Sequence, residues 1–310
     1  MRITWTDLPE HVRGAVEAIL GDTVVAAESQ PGGFSPGTAD RVRTANGSRA
    51  FVKAVSPAQN DLTPVLHRRE AVVSAALPAT VPAPRFLGCH DDGEWVALVL
   101  EDVDGRHPAT PWTRPELDQV LAALERVASV TSVPGLSAVA DEFSEDFAGW
   151  RRVAADPPED LDPWARGHLD DLVALADRGL SSLDGEALVH FDLRADNILL
   201  RADGGVAIVD WPWACRGPAW LDTVALLVNV RLHGGHDTGA LLAEHAPGAD
   251  AGSVLGVLAG LAGAFVDTAR RPPPAGLPTL RAFQRAQGEA TLSWVRELLE
   301  GGYRPKFWVQ

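Results

Sequence analysis

Residues 187–210 read ALVHFDLRADNILLRADGGVAIVD. Three short apolar runs stand in this stretch, Ala187 to Val189, Ile198 to Leu200 and Val206 to Val209. Asp203-Gly204-Gly205 turns the chain between the last two. His190, Asp192 and Asn197 fall in the loop between the first two runs, and Asp210 ends the third. A hairpin of the second and third runs sets Asn197 and Asp210 on adjacent strands near one end. Several polar groups then converge beside apolar walls.

These residue types suit phosphoryl transfer. Phosphates carry Mg²⁺, a cation that takes oxygen ligands from one or two protein groups. Asp210 offers a carboxylate and Asn197 an amide oxygen. A hydroxyl nucleophile needs an aligned proton acceptor, and Asp192 can serve. The rest of such a reaction is positioning and electrostatic stabilisation. Asp196 is the neighbouring acid, and spacing favours Asn197 over it as a ligand.

Outward from this insert, the chain divides in character. The first hundred residues are strand-rich. β-favouring runs at Thr23 to Glu28, Asp40 to Thr44 and Ala50 to Val55 surround the loop PGGFSPGT at 31–38 and the turn Asn46-Gly47. Pro64 opens a helix that Pro78 stops, with Val65, Leu66, Val72, Val73 and Leu77 as its expected buried side. Arg85 to Cys89 and Trp95 to Leu100 add two strands about an Asp-Asp-Gly turn. Past Leu100 the period becomes helical. Thr113 and Glu116 form a capping-box pair, and Asp162-Pro163 opens a second helix. Helical stretches recur near 222–232, 238–246, 253–270 and 279–300. The expected fold class is α+β, with a small lobe of about five antiparallel strands and one helix over 1–102. A larger, mostly helical lobe over 103–310 carries the catalytic β insert and the acceptor site.

HFDLRADN fits the pattern H-x-D-x-x-x-x-N of the kinase-like superfamily, and the chain resembles the aminoglycoside phosphotransferase family of small-molecule kinases. The resemblance spans roughly residues 22 to 300. It takes in, in order, the glycine loop, Lys53, Glu70, the hinge after Leu100, HFDLRADN, Asp210 and the GPAWLD segment. It implies a two-lobed protein-kinase-like fold using ATP and Mg²⁺. Asp192 is then the catalytic base, and Asn197 and Asp210 hold Mg²⁺. Lys53 contacts the α- and β-phosphates and pairs with Glu70. Gly33 and Ser35 approach the phosphates, and adenine lies along the hinge at Leu100, Glu101 and Val103. His190 braces the catalytic loop and Asp222 supports it from a helix below. Arg194 either neutralises the transferred phosphate or makes a surface ion pair.

Departures from the pattern narrow the acceptor. Asp210 is followed by Trp211-Pro212 instead of Phe-Gly, and only 11 residues separate it from Asp222. That leaves little room for an activation loop or peptide platform, and favours a small molecule over a protein. Gly32, Gly33 and Gly37 do not fit G-x-G-x-x-G, so they serve either phosphate binding or a turn. Trp211 and Trp213 either wall the acceptor pocket or pack.

Composition is consistent with this reading. Twenty-seven Lys and Arg against 42 Asp and Glu give −15, which disfavours a nucleic-acid partner and permits a cationic one. Lysine occurs only at 53 and 306, while arginine is abundant, so an ammonium at Lys53 stands out. Cys89 and Cys215 make neither a disulfide framework nor a metal set. The N-terminus lacks an apolar leader, and the longest apolar run, Val254 to Val266, reads as a buried helix. The expectation is a cytoplasmic protein with no membrane partner. The leading acceptor is an aminoglycoside or related cationic antibiotic. Asp141, Glu142, Glu145 and Asp146, or Asp156, Glu159 and Asp160, are candidate acidic partners for it. Other readings are a kinase for a sugar or amino-alcohol, and a non-catalytic nucleotide-binding regulator.

Overall fold

A computed structural model of the chain describes residues 3–31, 36–131, 133–246 and 248–301. Gly33 and Ser35 lie outside the described residues.

Two lobes are present. The first is an antiparallel sheet of β1 (Val24–Ser29), β2 (Asp40–Thr44), β3 (Arg49–Val55), β4 (Phe86–Asp91) and β5 (Val96–Glu101), in spatial order β1-β2-β3-β5-β4. The period-two alternation of β3 decides what each face carries. Ala50, Val52 and Ala54 are buried against the back layer, and Phe51 and Lys53 face the opposite way. Lys53 opposes Leu98 in a central strand, which excludes a role as an edge-strand charge.

The back layer holds a helix that the strand-rich reading did not anticipate, α1 (Glu10–Leu20). Val12 and Val16 of α1 join Trp5, Leu8, Val42, Val52, Trp95 and Val99 in one apolar cluster. Gly21 ends α1 in the left-handed conformation, φ 72°, where only glycine is unstrained. On the cleft side lies α2 (Thr63–Ala76), with Pro64 in its first turn. Its apolar residues do not all point inward as expected. Val65 and Val72 are exposed, and the buried side is Thr63, Pro64, His67, Glu70, Ala71, Val73 and Ser74. The inner side of α2 is polar because it faces the Lys53 side of the sheet.

The second lobe contains α3 (Arg114–Ala128), α4 (Val139–Glu142), α5 (Ser144–Phe147), α6 (Gly149–Ala155), α7 (Pro163–Gly167) and α8 (Leu169–Ser181). After it come β6 (Ala187–Val189), β7 (Ile198–Leu200), β8 (Val206–Ile208) and β9 (Cys215–Gly217). The chain finishes in α9 (Leu221–His233), α10 (Thr238–His245), α11 (Ala251–Ala269) and α12 (Leu280–Glu300). Thr113 caps α3 without a side-chain bond to the helix. Glu116 turns instead to the backbone N–H of Ala109 and to Arg106, so the expected capping box does not form. Asp162 does cap α7, accepting from the N–H of Ala165 at 2.9 Å.

α11 is long and apolar enough to cross a membrane, yet more than half of it is buried in the protein. Its glycines set how closely neighbours approach. A Cβ on Gly179 of α8 would stand 2.3 Å from the carbonyl oxygen of Gly256, and one on Gly260 would meet the Phe147 ring. This packing makes α11 the central helix of the lobe.

The lobes are stitched beside the cleft. Arg106 and Leu200 exchange backbone hydrogen bonds at 3.0 and 2.7 Å, joining the hinge to β7. The N–H of Ile208 donates to the carbonyl of Pro82.

Candidate active site

A cavity of about 980 Å³ lies between the sheet and the helical lobe. Among the described candidates, Lys53, Glu70, Leu100, Glu101, Val103, Asp192, Arg194, Asn197 and Asp210 line it, and His190 lies beneath them.

Lys53 is the junction between the lobes. Its Nζ donates to both oxygens of Glu70 at 2.9 Å and to Oδ1 of Asp210 at 2.8 Å. Burial alone would lower the ammonium's pKa, but the charges of Asp210 and Glu70 outweigh it and raise it. Burial pushes the Glu70 carboxyl up, with Lys53 opposing. Asp210 is held low despite burial, by Lys53 and then Arg194 and His190. Arg68 and Arg69, the adjacent cations on α2, turn elsewhere: Arg68 pairs with Asp91 and Arg69 with Glu142.

The catalytic loop is fixed by buried acceptors beneath it. Both oxygens of Asp222, on the first turn of α9, accept backbone N–H groups, from His190 at 2.8 Å and Phe191 at 2.9 Å. His190 is fully buried. Its Nε2 donates to the carbonyl of Val209 at 3.0 Å and its Nδ1 accepts from the N–H of Asp192 at 3.2 Å. This pattern requires the Nε2–H tautomer and shields the ring from the cavity. His190 is therefore a positioning residue that braces the loop and does not face the cavity.

Asn197 ends a short 3₁₀ turn, Ala195–Asn197, and its amide nitrogen donates to the carbonyl of Asp192 at 2.8 Å and to Oδ2 at 3.1 Å. Committing the nitrogen leaves the amide oxygen for another partner. The N–H of Val209 donates to the Asn197 carbonyl at 2.9 Å, so Asp210 sits beside Asn197 as the hairpin reading requires. Two hard oxygen donors at the end of one hairpin fit Mg²⁺, which draws its remaining ligands from phosphates and water.

Arg194 pairs with two carboxylates at the mouth of the site. Its side chain is 12% exposed, with Nη1 donating to Asp192 Oδ1 at 2.5 Å and Nε to Asp196 Oδ1 at 2.9 Å. Its guanidinium also lies 5.4 Å from the Phe283 ring centroid. Burial would lower its pKa, but Asp192 and Asp196 raise it.

Several site residues escaped the sequence reading. Asp102 is buried at the hinge, clamped by Arg41 and Arg49 at 2.6 Å each. His67 lines the cavity one turn before Glu70, buried, with no partner for Nε2. Burial, followed by the charge of Lys53, pushes its imidazole down to about 3. Phe191 and Asp210 are the non-glycine residues with positive φ among those described, at 66° and 70°. No compositional signal marks Asp102, His67 or Phe191, or the backbone angle of Asp210. The two tryptophans divide. Trp211 is buried, with its Nε1 donating to Ile208, whereas Trp213 lines the cavity. Gly37 serves packing, since a Cβ there would stand 2.5 Å from the carbonyl oxygen of Ala54.

The fold and the constellation at its cleft define a two-lobed kinase-like phosphotransferase. The description "phosphotransferase enzyme family" matches residues 31–250, and the chain belongs to that family. Solved structures share the fold at low identity. An aminoglycoside phosphotransferase from Alicyclobacillus acidocaldarius is 18% identical, with TM-score 0.52 over 92% of this chain and 96% of that one. A choline kinase from Streptococcus pneumoniae is 14% identical, with TM-score 0.62 over 92% and 98%. A macrolide 2'-phosphotransferase from Brachybacterium faecium is 15% identical, with TM-score 0.56 over 93% and 98%. Comparison with curated proteins gives no match.

Proposed function

We propose that this phosphotransferase moves the γ-phosphoryl group of ATP to a hydroxyl of a small molecule. The observation that carries the reading is the convergence of Lys53, Glu70, Asp192, Asn197 and Asp210 on one cleft. The nucleotide lies against residues 1–102, with adenine along the backbone of Leu100, Glu101 and Val103, and the acceptor against 103–310. Gly33 and Ser35 belong to the loop proposed to cover the phosphates.

Asn197 and Asp210 are the residues that would hold Mg²⁺, and the ion neutralises phosphate charge when bound. Lys53 supplies a second positive charge to the phosphates. Asp192 accepts the acceptor's hydroxyl proton, oriented by Asn197 and Arg194. Asp222 and His190 hold the loop at its height. Lobe closure limits loss of the phosphoryl group to water.

The acceptor is a small alcohol, in line with the antibiotic and choline enzymes that share the fold. A non-catalytic regulator would lack the lysine, the base or a metal ligand, and each is present. Among candidate acceptors, an antibiotic bearing a hydroxyl and an amine leads, aminoglycosides being one such class, and the protein is proposed to act in the cytoplasm. Four of the seven acidic residues expected to meet its amines are engaged: Glu142 by Arg69, Glu145 by Arg152, Asp156 by Arg270 and Asp160 by Arg285. Coupled ADP release across aminoglycosides, other antibiotics and amino-alcohols tests the reading. Acceptor-dependent turnover that needs Mg²⁺ and Asp192 is expected. Mg·ATP-independent behaviour with every acceptor contradicts it.

A further inference from the structure

The cavity continues beyond the catalytic loop between α5, α11 and the start of α12, where most of the lining is apolar and the amides are Gln284, held by Arg281, and Gln287. Phe143, Trp213, Leu261, Phe265, Leu277 and Leu280 line it. The ring of Phe191, next to Asp192, lies 4.1 Å from that of Phe143, which in turn lies 5.8 Å from Trp213. An aromatic wall therefore starts at the catalytic base. Phe191 takes its place in that wall with φ at 66°, a conformation that strains a bulky residue and not a glycine. Strain of this kind persists where the side chain has a use.

Charge in this half is sparse. Every other carboxylate lining the cavity is held: Glu70 and Asp210 by Lys53, Asp102 by Arg41 and Arg49, Glu101 by Arg85 and Arg201, and Asp192 and Asp196 by Arg194. Asp146 is the lining carboxylate with no ion pair among the described residues. Burial raises its pKa, and Arg152 and Arg271 act on it from a distance in the opposite sense. The other charged lining residue here is Arg281, which donates to the Pro272 carbonyl and to Gln284.

Such a lining suits one ligand chemistry. A polyamine sugar needs several carboxylates and would leave most of its hydroxyls unpaired against apolar walls. Arg281 and the neighbouring arginines would repel its extra ammonium groups. An apolar body gains from the same walls, and one ammonium gains from Asp146 and the aromatic faces.

We infer that the acceptor is an amphipathic alcohol with a largely apolar body and a single ammonium group, bound through Asp146 and the Phe143–Phe191–Trp213 wall. This rests on the phosphotransferase reading. In the transfer, the acceptor oxygen bonds the γ-phosphorus, the bond from that phosphorus to the ADP oxygen breaks, and the hydroxyl proton passes to Asp192.

The test uses the full chain with Mg·ATP and two probes, the macrolide erythromycin, an apolar ring with one amine, and the polyamine kanamycin. A kcat/KM at least about 100-fold higher for erythromycin is expected. Asp146→Asn is expected to raise KM for erythromycin roughly 10- to 100-fold with little change in kcat, and to narrow its advantage over an N-demethylated, N-acetylated analogue. A preference for kanamycin overturns the inference, as does an equal loss on both erythromycin forms or silence with both probes. Mg·ATP binding, measured separately by calorimetry, shows which reading has failed. If it is retained, only the acceptor class falls; if it is absent along with turnover, the phosphotransferase reading falls too.

Discussion

At the residue scale, the account turns on a few ionisable groups whose neighbours set their charge. Lys53 is held by two carboxylates, one of them the buried Glu70. Lys53→Met strands Glu70 in the protein interior and is expected to cost about 3 kcal/mol. Lys53→Met with Glu70→Gln should recover part of that loss, and urea midpoints measure both. His67 gives a pH prediction of defined sign. Its folded pKa lies at about 3 against an ordinary 6.5, so between those values the unfolded chain binds a proton that the folded chain does not. Its contribution therefore lowers stability as pH falls, by at most about 2 kcal/mol from about pH 6.5 to about pH 5. His67→Leu should lose less stability than wild type between about pH 7.5 and about pH 5. Equal losses would show that His67 is not held neutral. The chemistry-bearing residues Lys53, Asp192, Asn197 and Asp210 were legible because their types and spacing state a reaction. His67, Asp102 and Phe191 were not. Their roles arise from burial and backbone angle, which depend on residues distant in the chain.

At the element scale, glycine divides into two kinds that the sequence writes identically. Gly14 sits within α1 with nothing near the place of a Cβ, so Gly14→Ala is expected to stabilise by about 0.5–1 kcal/mol. Gly179 meets the backbone of α11 at Gly256, and Gly179→Ala should destabilise by about 1–3 kcal/mol through forced separation of α8 and α11. Thermal melts separate the two outcomes by sign. The strands were readable from alternation and from Asn46-Gly47, and the register of β7 with β8 followed from the turn between them. α1 was missed although Val12, Val16 and Ile19 recur at helical spacing and Gly21 closes it. An 11-residue helix with Gly14 near its middle states itself weakly until the back of the sheet gives it a surface. The face of α2 was misjudged for the converse reason. Its buried side is chosen by Lys53 across the cleft, so polar Glu70 and His67 go in while Val65 and Val72 stay out.

At the scale of the whole molecule, one cleft joins two lobes, and the charge network crosses it through the Lys53–Asp210 contact. A ligand that spans the cleft binds only the folded, docked arrangement. Mg·ATP at about 100 times its Kd should add about 2.7 kcal/mol to stability, visible as a rise in Tm that Asn197→Ala with Asp210→Ala reduces. The family and the two-lobed fold were legible from the ordered motifs, since their order reflects the order of strands and helices about the cleft. The proposed acceptor pocket was not, because the cavity lining there comes from α5, α11 and α12, whose apolar residues look in sequence like any core.

The central claim is phosphoryl transfer governed by Asp192. The most direct test is mass spectrometry of the acceptor pool after incubation with Mg·ATP, using wild type and Asp192→Asn side by side. Wild type is expected to add the mass of one phosphoryl group to an acceptor. Asp192→Asn should do so about 10²–10⁴-fold more slowly while binding Mg·ATP with little change. Equal phosphorylation by both proteins would contradict the account.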